Sequence, residues 1–384
     1  MHAVTISNGH HITPNLGSSD TTPPPLSASP SVRPFGSALL SAAKLDTPKV
    51  RILIGESLGE HAQPTLDKLP AQEGILVSTP LSTNPAEMQK LALEHMKGKE
   101  TDLLVVRGNI KVNKEFIESL APADRPKFVL RAGTGMNNID TDYLKSQHIG
   151  YTNTPDVNTS ATAEHTLALL LSAARKIPQA DQGIKQGEWD REHFTGIELK
   201  GKTLGIVGIG GRIGGLVAER AQAFGMTVIG LRPRNASSTQ TPPPAISHYV
   251  DTLPDLMAQS NVVSVHVPLT PQTKNMIGKK EIEAMPKKGI ILNVSRENVV
   301  NEEAILNALE SKHLYAAGID TFKEEKKNGV SHKLATHPMV VATPHIGGQT
   351  EEACQAMGEA VLNQAKKMYA EKVIASLDLS KPAH

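Results

Sequence analysis

The stretch TLGIVGIGGRIGG, residues 203–215, decides how the rest of the chain is read. Its first five residues are a short apolar run ending at a glycine, as a buried strand does, and 213–224 continues at helical spacing. Gly208, Gly210 and Gly214 stand where strand turns directly into helix, and the missing side chains leave the helix-start N–H groups open to a phosphate. The spacing is G-x-G-x-x-x-G, one residue longer than the usual dinucleotide fingerprint, so the turn is expected to carry an inserted residue. Gly208, Gly210, Gly211, Arg212, Ile213 and Gly214 are its candidate cofactor contacts.

Beyond the turn, apolar runs recur at 226–232 (MTVIGLR), 261–267 (NVVSVHV), 289–295 (GIILNVS), 315–322 (YAAGIDTF) and 339–345 (MVVATPH), with helices expected over 301–310 and 351–370. Before it, KVRILIG at 49–55, GILVSTP at 74–80, DLLVVRG at 102–108 and KFVLRAG at 127–133 alternate with helices over 85–97 and 113–120. Short β-branched runs separated by helices predict an α/β fold with parallel sheets, and two such series predict two Rossmann-like or flavodoxin-like domains. Between them, 159–176 is too continuously apolar for a surface helix and is expected to be buried between domains or subunits.

The composition excludes several classes. The 384 residues carry 40 Lys+Arg against 39 Asp+Glu, a net charge of +1 without a clustered basic excess, so no nucleic-acid partner is expected. No apolar run approaches the ~20 residues of a membrane span, so no membrane partner is expected either. Cys354, the only cysteine, closes no intrachain disulfide and builds no thiolate metal site alone; no metal is predicted, and a reducing, cytoplasmic location is expected. Residues 1–48 hold seven Pro, eight Ser and five Thr and read as a disordered tail, a transit peptide being the alternative.

After the second strand of the later series, a domain binding NAD places a carboxylate on the adenosine ribose. Here no Asp or Glu occurs between Glu219 and Asp251, and the expected place offers Arg232, Arg234, Ser237 and Ser238. Guanidinium forks suit a 2′-phosphate, so NADP(H) is predicted in preference to NAD(H). The alternative is that both arginines are solvated loop charges, and the Pro-rich run 241–245 reads as an exposed insertion.

GKTLGIVGIGGRIGG, NVVSVHVPLTPQTKNMIG, GIILNVSRENVVNEEAILNAL, AAGIDTFKEE and TPHIGGQTEEA resemble, in order and spacing, the D-isomer-specific 2-hydroxyacid dehydrogenases. RAGTGMNNID at 131–140 resembles their substrate loop, and the likeness is closest to the D-3-phosphoglycerate dehydrogenases. The resemblance implies that Arg296 binds the carboxylate and carbonyl oxygen of a small 2-oxo or D-2-hydroxy acid, that His345 is the general acid–base, and that Glu325 pairs with it. Glu324 competes for that last position, and a glutamate there argues against the formate dehydrogenases, which resemble this family but have glutamine. It further implies that Gly133, Thr134 and Gly135 hold the substrate carboxylate through backbone N–H groups, and that Arg107 meets a distal anion, an ordinary surface charge being the alternative. Val267, Pro268, Thr273, Ser295 and Gly347 are assigned to the cofactor cleft and Asp320 to the nicotinamide carboxamide. Arg296 is followed by Glu297 and Asn298 where the family has two glycines, a departure expected to narrow the substrate range.

The implied organisation is a discontinuous substrate domain, 49–155 rejoined by 344–384, around an inserted dinucleotide-binding domain, 156–343, in a homodimer formed through the helix after Thr159. With 39 residues after His345, serine feedback through an additional C-terminal domain is not expected. A dinucleotide-sensing transcriptional corepressor similar to the C-terminal binding proteins is the alternative from another functional class.

Overall fold

The computed structural model describes residues 49–376, apart from 70–73, 80–81, 83, 235, 238 and 324–332. The expectations for the 1–48 tail, Ser238, Glu324 and Glu325 therefore lie outside the described residues.

Strands β1 (Val50–Ile54), β2 (Ile75–Ser78), β3 (Leu103–Val106), β4 (Phe128–Arg131) and β5 (Gly150–Asn153) form a parallel sheet ordered β2-β1-β3-β4-β5. This is the flavodoxin-like order, with its winding reversed between β1 and β3. Central β3 is buried along its whole length, which is why its four residues are all apolar. Helices α1 (Gln63–Leu66), α2 (Pro85–Met96), α3 (Lys114–Glu118) and α4 (Thr141–Ser146) cross over between the strands. Asn113 and Asp140 start α3 and α4 by accepting the Phe116 and Tyr143 N–H groups.

The second sheet contains β6 (Thr203–Val207), β7 (Thr227–Leu231), β8 (His248–Val250), β9 (Val262–Val265), β10 (Gly289–Asn293), β11 (Leu314–Ile319) and β12 (Val340–Ala342). Its order, β12-β11-β10-β9-β6-β7-β8, is that of a doubly wound dinucleotide-binding sheet with one further strand, all of it parallel. The reversal lies between β6 and β9, so the glycine turn after β6 opens into the crevice at the carboxyl ends of the strands. Helices α7 (Arg212–Ala223), α8 (Leu253–Gln259), α9 (Lys279–Ala284) and α10 (Glu302–Glu310) connect these strands.

Helix α5 (Thr159–Arg175) buries Ala163, Leu167, Leu170 and Ala174 in the core of the second sheet, against α7, β10 and β11. Its near-continuous apolarity is thus used inside this chain. Helix α6 (Ile177–Lys185) follows and leaves Ile177 and Ile184 exposed, as is Trp189 beyond it, at 81 %. Helix α11 (Glu351–Ser376) returns to the first sheet, where Cys354, Met357, Val361 and Ala365 make a helical stripe in the core formed by β1 and β3. Lys372, near its end, reaches the buried Asp102 carboxylate at 2.7 Å and donates to the Lys49 carbonyl. Burial alone would raise the Asp102 carboxyl, but Lys372, the Arg51 N–H and Lys127 outweigh it and hold it below the usual range.

Candidate active site

Gly208 follows β6 at φ +99°, and a Cβ there would stand 2.7 Å from the His266 carbonyl. A Cβ on Gly214 would stand 2.7 Å from the Gly208 oxygen, so helix and turn meet in backbone contact. The additional residue is absorbed by Gly211, whose N–H closes a tight turn onto the Gly208 carbonyl at 3.0 Å while Gly211 itself caps α7. Every glycine of the turn therefore keeps its backbone flush, and the first-turn N–H groups of α7 face the crevice as a dinucleotide pyrophosphate requires. Pro233 closes one side, 3.0 Å from where a Gly210 Cβ would lie. Arg212 forms an ion pair with Asp156 in the segment joining the two sheets. Ile213 is half-buried behind it. Beneath the turn, the His266 ring accepts or donates one bond, to Ser264 at 2.8 Å, and burial pushes its pKa down to about 3, so it is neutral.

At the end of β7, Arg232 donates through Nε to Asp251 at 2.5 Å and through Nη1 to the Ser237 carbonyl at 3.2 Å, its guanidinium lying 5.2 Å over the Tyr249 ring. Arg234 is exposed two residues on. The interval that lacks acids in sequence is thus given one in space, because edge strand β8 runs beside β7 and delivers Asp251 next to Arg232.

Across the crevice, three arginines converge. Arg296 follows β10 and reaches the substrate loop, donating through Nε to Asn137 Oδ1 at 3.2 Å and through Nη1 to its neighbour's carbonyl at 2.7 Å. A Cβ on Gly135 would overlap the Arg296 Nη2, and one on Gly133, at φ +126°, would overlap the Arg131 guanidinium. These glycines are where they are because two guanidiniums lie across them. The Gly133 N–H is occupied by Thr154 Oγ1 at 2.6 Å, which leaves Thr134 and Gly135 to offer loop N–H groups to a ligand. Thr134 itself bonds through its hydroxyl to Asn158 at 3.0 Å.

Arg131 is the residue that sequence reasoning missed here, although it opens the quoted loop. Its Nε is buried with no hydrogen-bond partner among the described residues. Burial, then the Arg296 and Arg107 charges, push its pKa down to about 10, against an opposing pull from Glu56, so it stays cationic at neutral pH. Glu56, buried just beyond β1, accepts the N–H groups of Arg107, Gly108, Asn109 and Ile110 at 2.8–3.1 Å. That carboxylate folds the loop which carries Arg107, and Arg107 reaches Gln349 on the opposite wall.

That wall is the segment following β12, where His345 is exposed with a left-handed backbone, φ +55°, sparsely populated by histidine. Asp320, at the end of β11, anchors this segment. Its Oδ1 accepts the Thr343 hydroxyl at 2.6 Å and the Ile346 N–H at 2.9 Å, and its Oδ2 accepts the Gly347 N–H at 2.9 Å. With the Thr343 hydroxyl committed to Asp320, His165 Nε2 of α5 donates to Thr343 Oγ1 at 3.0 Å and lies 3.3 Å from Asp320. Burial alone would raise the Asp320 carboxyl, but His165, Thr343 and the two N–H groups outweigh it and hold it below the usual range. The carboxylate assigned to the nicotinamide thus also positions the His345 segment.

The other predicted residues follow β9 and β10, at the carboxyl ends of these strands. Ser295 is buried, bonded to Asn293 at 2.8 Å. Val267 is half-buried, Pro268 is exposed, and Thr273 ties that loop by donating to the Pro268 carbonyl at 2.6 Å. Asn298 takes φ +59°, which explains the glycine usual at that position: the backbone is left-handed, and asparagine tolerates it. Glu56, Asn137, Thr154, His165, Asp251 and Gln349 carried no local signal, since each acquires its role from a partner remote in sequence.

The model of the D-isomer specific 2-hydroxyacid dehydrogenase NAD binding domain matches residues 167–347. A D-3-phosphoglycerate dehydrogenase of Methanocaldococcus jannaschii is 39 % identical over 319 residues, 83 % of this chain and 57 % of that protein. A hydroxypyruvate reductase of Thermotoga maritima is 40 % identical over 260 residues, 67 % of this chain and 82 % of that one. This chain spans about half the length of several D-3-phosphoglycerate dehydrogenases that it matches, such as that of Bacillus subtilis, at 50 %. Among solved structures, the TT0316 protein of Thermus thermophilus superposes with a TM-score of 0.72 at 31 % identity, over 84 % of this chain and 97 % of that one.

Proposed function

Because the chain belongs to the D-isomer-specific 2-hydroxyacid dehydrogenase family, we propose that it transfers hydride between NADP(H), with NAD(H) as the lesser cofactor, and C2 of a small D-2-hydroxy acid or 2-oxo acid. The observation that carries this reading is the arginine cluster facing the His345 segment: Arg296 against the Gly135 loop, with Arg131 and Arg107 beside it.

When bound, the nicotinamide supplies or accepts the hydride. Arg296 holds the substrate carboxylate and stabilises negative charge developing on the C2 oxygen during reduction. His345 gives its ring proton to that oxygen, or removes it in oxidation, and Glu325 pairs with the imidazolium. One carboxylate needs one fork, so Arg131 and Arg107 are left for a second, distal anion. This favours a substrate of the 3-phosphohydroxypyruvate or D-3-phosphoglycerate type over glyoxylate or pyruvate, in keeping with the names of the similar D-3-phosphoglycerate dehydrogenases. The domain arrangement in the proposal is 49–155 with 344–384 for the substrate and 156–343 for the cofactor. The reaction is placed in the cytoplasm, with the enzyme as a homodimer in which a second copy covers Ile177, Ile184 and Trp189.

The test is initial-rate kinetics on glyoxylate, hydroxypyruvate, 3-phosphohydroxypyruvate and pyruvate with NADPH and NADH. The highest kcat/KM is expected for 3-phosphohydroxypyruvate with NADPH. Negligible turnover of all four alongside tight cofactor binding overturns the enzymatic reading and favours a dinucleotide sensor.

A further inference from the structure

The parallel pairing of β7 with β8 aligns Leu231 with Val250, so the residues that follow them, Arg232 and Asp251, emerge side by side at the end where the adenosine ribose of a dinucleotide is read. The Arg232 N–H donates to the Val250 carbonyl at 2.8 Å, which fixes that juxtaposition in the backbone. The side chain is constrained further: Nε is on Asp251, Nη1 is on the Ser237 carbonyl, and the guanidinium carbon lies over the Tyr249 ring. Of the three Arg232 guanidinium nitrogens, only Nη2 has no partner among the described residues. Its side chain is 20 % exposed, whereas Asp251 is 73 % exposed. The carboxylate therefore faces solvent where an additional ribose phosphate would arrive.

We propose that Asp251 is a specificity-determining residue that restrains binding of the cofactor 2′-phosphate at Arg232 and so keeps NAD(H) usable. The inference rests on the reading above that Arg232 and Arg234 face the adenosine ribose. Two arginines alone would present a dianionic phosphate with two positive charges. With Asp251 on one fork they present one, and the incoming phosphate meets a like charge beside its main donor. Nothing in the local sequence announces this acid, because it follows the next strand, beyond the Pro-rich run.

The test is calorimetric binding of 2′,5′-ADP and 5′-AMP to the full chain and to its Asp251→Asn and Asp251→Ser variants, at two salt concentrations. Asp251 is at the surface and its backbone is not left-handed, so both variants are expected to fold. Affinity for 2′,5′-ADP is expected to rise about fivefold in both variants, less at high salt, with 5′-AMP changed less than twofold. Unchanged or weakened 2′,5′-ADP binding in both overturns the inference, since Asp251 would then be neutral or would serve to aim Arg232 at the phosphate. A wild-type preference for 5′-AMP overturns the NADP(H) preference alone: if the variants still shift toward 2′,5′-ADP, the role of Asp251 stands.

Discussion

Gly135→Ala separates geometry from stability. Gly135 has an ordinary backbone, so alanine introduces no torsional strain. Its methyl would stand 3.0 Å from Arg296 Cζ, overlap Nη2, and stand 3.3 Å from Asn137 Oδ1. An ordinary carbon contact is about 3.5–4.0 Å, so the Nη2 end of the fork must retreat by roughly 1.5 Å. The obstructed group is the end of a flexible side chain, so the fold gives way cheaply and the unfolding free energy should fall by less than about 1 kcal/mol. A 1 Å misplacement of a substrate-orienting group, by contrast, costs on the order of 100-fold, about 2.7 kcal/mol of transition-state stabilisation. The assay is kcat/KM on the preferred 2-oxo acid beside urea melts of both proteins. A kcat/KM within threefold of wild type refutes the placement of Arg296 over the loop. An activity loss matched by an equal loss of stability refutes the claim that Gly135 serves the site.

Four further outcomes follow from the same geometry. His345→Ala should abolish reduction while leaving NADPH affinity, read by fluorescence titration, within about twofold; retained turnover would remove the proton-donor assignment. His165→Ala should lower kcat about tenfold with little change in KM, by loosening the Thr343–Asp320 anchor of the His345 segment, and His165→Gln, which can still donate to Thr343, should recover part of it; equal losses in both variants argue against the hydrogen bond. Glu56→Ala strands four N–H groups that the carboxylate now accepts, and should cost roughly 2–4 kcal/mol in urea melts; a loss below about 1 kcal/mol contradicts its role in holding the Arg107 loop. Asp102, held below the ordinary carboxylate range, contributes stability that is present above an unfolded pKa of about 3.9 and lost as pH falls below it. Asp102→Asn should therefore flatten the acid limb of a Tm-against-pH curve, and an unchanged limb counts against the pairing with Lys372.

Most of the architecture was legible because buried parallel strands must be apolar. β3, β6, β9 and β10 are such runs, each beside a turn or a capped helix. Two strands among the elements not anticipated were hidden for physical reasons. β5 reads GYTN and is nowhere fully buried, and β8 is three residues on the sheet edge after a Pro-rich run. Helix α8 was not anticipated either, although Thr252 caps it and Pro254 lies in its first turn. The positions of Arg296 and His345 at the ends of β10 and β12 were legible because each sits in a local motif after a strand. Asp251 was not, because its meaning is its distance to Arg232, which a three-residue strand sets. Glu56 was likewise silent, since a lone glutamate after a strand looks like any surface acid until the Arg107 loop closes over it.

The central claim, hydride transfer to C2 of a 2-oxo acid, is tested most directly by following the label from NADPH deuterated at nicotinamide C4, in each of the two stereochemical forms, into product. One form is predicted to place a single deuterium at C2 of D-3-phosphoglycerate made from 3-phosphohydroxypyruvate. Product that gains deuterium from neither form, deuterium in the L-isomer, or bound cofactor with no product would contradict the account.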